Sequence, residues 1–183
     1  ESLLEYHEHR LTEHKQKSGG SVQGFTLTGE HCEDLREEAS MYYQRYLSLF
    51  VMGDFPAVVR DTSRNLRVLD LCGRFAADEQ DRLVLEQYRP YIIMMRTRAS
   101  ASILYKDQKL NQALDNVKEG LNQIRDFFEK FGHADAFEQC EEAKVLKRFA
   151  KEIRKKLPVG ALERLQRKLK KAVATEQYEL AAK

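Results

Sequence analysis

An all-α fold is predicted by three observations on this sequence. Apolar residues recur at spacings of three and four through almost the whole stretch from Glu33 to Leu157. Only 9 Gly and 3 Pro are available for chain reversals in 183 residues, too few for the many turns of an all-β fold. The breakers that do occur sit in short groups, each separating one apolar stripe from the next. A hydrophobic content of 42% beside 33% charged residues fits a folded, surface-rich helical chain and excludes a disordered one.

The elements follow in order. Leu3, Leu4, His7, Leu11 and His14 form a mostly polar helical stripe in an N-terminal arm, residues 1–32. The run "KSGGSVQG" breaks it, because paired glycines cost a helix backbone entropy, and "FTLT" reads as a short extended segment. Thr28 or Glu30 opens the next helix, whose early acidic residues suit the positive end of the helix dipole. Leu35, Ala39, Tyr42, Tyr43, Tyr46 and Phe50 share a face of it, and the aromatic run "MYYQRYLSLF" reads as core. "MGDFP" ends that helix and places Pro56 in the first turn of another, which presents Val59, Thr62, Leu66, Leu69 and Cys72.

A further helix is expected from about Ala77, presenting Val84, Tyr88, Tyr91, Met95, Ala99 and Ser102. Pro90 should kink or split it, since proline lacks the amide proton and crowds the preceding turn. "YKDQK" is the next reversal. Leu110, Ala113, Leu114, Val117, Leu121, Ile124 and Phe128 then make one of the strongest stripes in the chain. "FGHAD" closes that helix, and Asp135 stands near the start of a last one that carries Phe137, Cys140, Val145, Phe149 and Ile153 to about Leu157. "LPVG" separates this body, residues 33–157, from a terminal segment at 160–183.

Two stretches, "YLSLFVMGDFPAVVRDTSRNL" and "ASASILYKDQKLNQALDNVKEGL", share a helix–turn–helix layout. Ala101, Leu110, Ala113, Val117 and Gly120 of the second resemble the pattern of a tetratricopeptide-like repeat, whose small residues let paired helices approach closely. The first departs from it, with Tyr46 where a small residue belongs, and the separation of Phe55 from Leu110 is longer than the usual period of about 34 residues. The body is therefore expected to be either tetratricopeptide-like hairpins or a plain helical bundle, which gives the same stripes. The resemblance implies peptide or protein binding in a groove, which stacked hairpins leave open and a closed bundle does not.

Catalytic constellations are absent from the sequence. It has no Gly-rich phosphate loop, nucleophile elbow or H-E-x-x-H helix. In "YHEHRLTEH", His7 and His9 fall about 200° apart on a helix, and His7 with His14 lacks a third ligand nearby, so His7, His9, His14, His31 and His133 read as surface histidines. Glu37, Glu38, Glu141 and Glu142 lack the Glu-x-x-His signature of a di-metal bundle and read as solvent-facing charge. Cys32, Cys72 and Cys140 form no C-x-x-C pair and are expected to be reduced thiols in a cytoplasmic protein. No apolar run reaches the roughly 20 residues of a membrane span, and "ESLLEYHEHR" has no signal pattern. The chain opens on Glu1 rather than Met and is expected to be part of a longer protein. Neither enzyme activity nor a cofactor or metal is expected.

The terminal segment carries the functional signal. Residues 144–171 hold twelve Lys and Arg against Glu152 and Glu163, a net of +10, which leaves −8 for the rest of a chain whose total is +2. Lys155, Lys156, Arg164, Arg167, Lys168, Lys170 and Lys171 are candidate contacts for phosphates or an acidic partner. Leu162, Leu165, Leu169, Ala172 and Val173 line one helix face. Thr175 can cap a second helix bearing Tyr178, Glu179, Ala181 and Ala182. Together these residues resemble the UvrB/UvrC (UVR) motif, a helical hairpin with leucines on its first arm and aromatic-Glu-x-Ala-Ala on its second. Tyr178 replaces the more common Phe, and the motif's closing Arg-Asp stretch would lie past Lys183.

The likeness covers residues 162–183 alone. The family implies protein–protein contact: its hairpin joins nucleotide-excision-repair subunits and occurs in regulators of Clp-type protease chaperones and of a protein arginine kinase. A hairpin this short needs a partner or a second copy to bury its apolar face. The expected function is a non-enzymatic adaptor that binds a partner or itself through Leu162, Leu165, Leu169, Ala172, Val173, Tyr178, Ala181 and Ala182. The alternative is nucleic-acid binding in a DNA-repair context through residues 144–171.

Overall fold

The structure, a computed structural model, describes residues 2–157 and 169–171, and it is all-α. Its helices are α1 (Leu3–Lys17), α2 (Gly29–Met52), α3 (Phe55–Phe75), α4 (Glu79–Leu83), α5 (Arg89–Lys106), α6 (Leu110–Lys130) and α7 (Glu141–Lys156), with 3-10 turns at Glu86–Tyr88 and Ala134–Glu138. The extended character of "FTLT" is confined to a single parallel bridge between Leu27 and Ala76, in which Leu27 N–H donates to Phe75 O at 2.7 Å and Ala77 N–H to Leu27 O at 2.9 Å.

Local chemistry sets the boundaries. Ser2 caps α1 and Thr28 caps α2, each accepting from the backbone amide three residues on. Gly53 ends α2 in the left-handed region at φ 77°, where a side chain would be strained. Asp54 then caps α3 by accepting from Ala57 N–H at 3.2 Å. Pro90 splits the helix expected from Ala77 into α4, the 3-10 turn and α5, and lies in the first turn of α5, where its missing amide proton costs nothing. The last helix begins later than Asp135 predicts. Residues 134–138 are a 3-10 turn, Phe137 is buried on it, and α7 starts only after Cys140, which stands at its N-cap position without a side-chain capping bond.

Packing runs in series. α2 lies on α3, α3 on α5, α5 on α6 and α6 on α7, with a further contact between α5 and α7. Because α2 makes at most marginal contact with α6, the described helices pack in series rather than as a ring around one axis. One core joins Val58, Leu66 and Leu69 to Ile92, Met95, Val117, Ile124, Leu146 and Ile153. A second joins Leu4, Phe25 and Leu27 to Leu35, Val68, Leu71, Cys72 and Phe75. α3 contributes to both.

The small residues singled out in the second hairpin lie at its seam. Ala101 and Ala113 are fully buried, and Gly120 packs against Thr97 of α5. A Cβ placed on Gly120 would sit 2.3 Å from Thr97 Oγ1 and 2.6 Å from its Cγ2. In the first hairpin the space is filled instead by Tyr46, which is 1% exposed. Gly120→Ala is accordingly expected to cost about 1–3 kcal/mol through overpacking. The same change in a Thr97→Ala background should cost less, because the two nearest clashing atoms are gone. Urea midpoints of the four proteins in this cycle measure both effects.

Candidate interaction site

Of the residues expected to form the terminal hairpin, Leu162, Leu165, Ala172, Val173, Tyr178, Ala181 and Ala182 lie outside the described residues, as do Arg164, Arg167 and Lys168. Leu169, Lys170 and Lys171 are helical and exposed. Lys155 and Lys156 are exposed on the last turn of α7, whose opposite face is anchored by Ala143, Leu146, Ala150 and Ile153. Along the outer side of α7, Lys144 pairs with Glu141 and Lys147 with Glu138, both at 2.8 Å. Lys151, Arg154, Lys155 and Lys156 have no carboxylate within ion-pair distance among the described residues.

The series of hairpins leaves a groove of about 630 Å³ between α2, α3, the α4–α5 connection and the first turn of α7. Its walls carry Tyr43, Tyr46, Tyr88 and Tyr91, with Leu85 and Ile92 as apolar lining and Ser40, Gln44, Gln87 and Glu142 as polar groups. The helical period explains the convergence on α2: Ala39, Ser40, Tyr43, Gln44 and Tyr46 fall on neighbouring positions of one side. The Tyr43 ring meets Tyr46 edge-on at 5.5 Å and Tyr91 at 6.1 Å. Burial and the adjoining Tyr43 raise the Tyr91 phenol above its ordinary pKa, so the Tyr91 hydroxyl stays protonated and able to donate. Arg36, the one cation in the lining among the described residues, is held by Asp81 at 2.6 Å.

This groove corrects two expectations. The aromatic run of α2 is not all core: Tyr46 is buried, Tyr43 packs against the core but also borders the groove, and Tyr42 is stacked between Arg45 and Arg64. Glu142 is not simply solvent-facing, since it lines the groove and accepts from the Cys140 thiol at 3.1 Å. Periodicity assigns a face to each residue. It does not reveal that faces of α2 and α5, 45 or so positions apart, border one cleft.

The histidine and acidic readings also change. His7 is not a surface residue. It is 2% exposed, its ring meets His31 edge-on at 4.8 Å, and its Nδ1 accepts from Arg10 Nη1 at 3.2 Å. Glu38, likewise expected in solvent, is buried, and its carboxylate accepts from the Leu3 and Leu4 amides while pairing with Arg64. It thus caps α1 from α2. Among the described residues no three His, Cys, Asp or Glu side chains are grouped as metal ligands. Cys32 and Cys72 are buried free thiols that contact each other across α2 and α3, and burial pushes Cys72 up to about 12. No helix among the described residues is long and apolar enough to cross a membrane.

Comparison with protein-family models, with curated proteins and with solved structures finds no match to this chain.

Burial first, then the charges of His31 and Arg10, holds the His7 imidazole below its ordinary pKa, against the opposing pull of Asp34 and Glu38. The folded state therefore binds this proton less readily than the unfolded chain, whose histidine titrates near 6.5. The contribution of His7 to stability is complete above that value and is lost as the pH falls below it. Urea midpoints between pH 7.5 and 5 should drop for the native sequence and drop less for His7→Phe, which fills the site without taking up a proton.

Proposed function

We propose that this chain is a non-enzymatic adaptor, which joins a helical docking body to a UVR-type hairpin at residues 160–183 that engages a partner protein or a second copy. The observation that supports it most is the open stack of hairpins, because it leaves a formed groove where a closed bundle would have solid core. A groove of this volume, lined by aromatic rings with a few polar groups at its edges, has the make-up of a ligand site. The hairpin part rests on the spacing of Leu162, Leu165, Leu169, Tyr178, Ala181 and Ala182 in the sequence. In this reading Leu165 and Leu169 anchor the contact, the two alanines permit close helix approach, and the basic residues steer an acidic partner.

Light scattering tests the hairpin directly. Leu165→Asp with Leu169→Asp should abolish self-association and partner capture while leaving the urea midpoint of the body unchanged. Association that survives in this double variant, at low and high salt alike, overturns the assignment.

A second reading, nucleic-acid binding through residues 144–171, is favoured by the unpaired cations on the outer side of α7. Lys151, Arg154 and Lys155 recur at helical spacing along one stripe, which suits a phosphate backbone. If about five phosphates are contacted, affinity for duplex or single-stranded DNA should fall by roughly two to three orders of magnitude between about 50 and 200 mM salt. Fluorescence anisotropy with a labelled oligonucleotide reads this out, and absent or salt-insensitive binding removes the reading.

A further inference from the structure

Several aromatic rings elsewhere in the molecule are covered by the protein's own cations. Tyr42 lies 4.3 Å from the Arg45 guanidinium and 3.8 Å from that of Arg64. Arg98 stacks on Phe50, Lys106 on Phe55, and both Arg125 and Lys147 on Phe137. The groove tyrosines are not among them. Among the described residues no Lys or Arg stacks on Tyr43, Tyr46, Tyr88 or Tyr91, although all four border the same cleft.

The charges around the cleft point the same way. Arg36 is neutralised by Asp81, and Arg98, the cation whose field reaches Tyr91, is stacked on Phe50. Glu142, whose charge is felt at the Tyr91 phenol, has no Lys or Arg within ion-pair distance among the described residues, and its hydrogen-bond donor is the weak thiol of Cys140. A carboxylate beside a cleft whose tyrosines include one exposed ring, Tyr88, and two part-buried ones, Tyr43 and Tyr91, attracts a cation through its own charge and through the ring quadrupoles. Leu85 and Ile92 offer the apolar wall along which an aliphatic stem lies while its charged head stays polar.

We propose that this groove receives a lysine or arginine side chain, presented by a segment of a partner protein, between the tyrosine faces and the Glu142 carboxylate. The inference rests on the adaptor reading and names the chemistry that its body selects. The volume exceeds that of one side chain, so the flanking residues of the partner segment enter with it.

The test uses the full 183-residue chain, isotope-labelled and followed by amide NMR. The probes are N-acetyl-arginine amide and N-acetyl-lysine amide, with N-acetyl-glutamine amide as the neutral control. Saturable shifts at the amides of Tyr43, Tyr88, Tyr91 and Glu142 are expected with the two cationic probes only. Glu142→Gln and Tyr88→Leu should each weaken them by about fivefold, within the range of a partly desolvated cation–π contact. Tyr88 is 54% exposed, so its replacement leaves the core intact.

Equal shifts from the neutral probe, shifts away from the groove, or an affinity unchanged by Glu142→Gln would overturn the proposal. Shifts at the same amides that track protein concentration with no probe added would assign the groove to a second copy and overturn the partner assignment. The double Asp variant at Leu165 and Leu169 keeps the groove, so a hairpin that fails while the cationic probes still bind is a separate result.

Discussion

The constraint on which the rest of the structure depends is the enclosure of α3 from two sides. Val58, Leu66 and Leu69 face the core built with α5, α6 and α7, while Val68, Leu71, Cys72 and Phe75 face the one built with α1 and the bridge at Leu27. The polar residues on the enclosed faces of α3 have no water to turn to, so they find partners inside the protein. Asp61, fully buried, accepts from Arg45 at 2.6 and 2.7 Å and from Arg60 at 3.0 Å. Thr62 returns its hydroxyl to Val58 O, Asn65 donates to Ala39 O, and Arg64 pairs with Glu38. Stripping one member from such a buried ion pair costs about 3–5 kcal/mol, because the other is left charged and alone.

This polar belt ties α1, α2 and α3 into a unit. Glu38 accepts from the first amides of α1 while holding Arg64 of α3, and Glu8 of α1 pairs with Arg67 farther along α3. The aromatic contacts follow from it. Arg45 and Arg64, positioned by Asp61 and Glu38, clasp Tyr42 on one side of α2. Tyr43, the next residue along, is carried round to the groove. The division of the α2 tyrosines among clasp, groove and core thus depends on which neighbours α3 requires.

The groove owes its openness to the way proline divides the chain. With Pro90 in the first turn of α5, the chain between α3 and α5 is a short helix and a 3-10 turn instead of a continuous helix. Val84, Leu85, Gln87 and Tyr88 on that connection form one wall of the cleft, and α5 supplies Tyr91 and Ile92. Breaker chemistry local to one residue therefore shapes a surface that four elements share.

The sequence by itself determined the all-α class, most helix positions and the close seam of the second hairpin. Those depend on periodicity, caps and small residues, all of which act within a turn or two of the chain. It also showed the charge contrast between residues 144–171 and the rest. Where a 3-10 turn replaced the expected start of the last helix, near Asp135, the local signal was misread because Phe137 is buried by α6 rather than by helical neighbours of its own. Tertiary structure alone decided that His7 and Glu38 are buried and that Cys32 meets Cys72. It also decided that Tyr43, Tyr88, Tyr91 and Glu142 border one groove. Each of these joins residues about 25 to 100 positions apart, and such a pairing is set by how helices stack, which no spacing along the chain records.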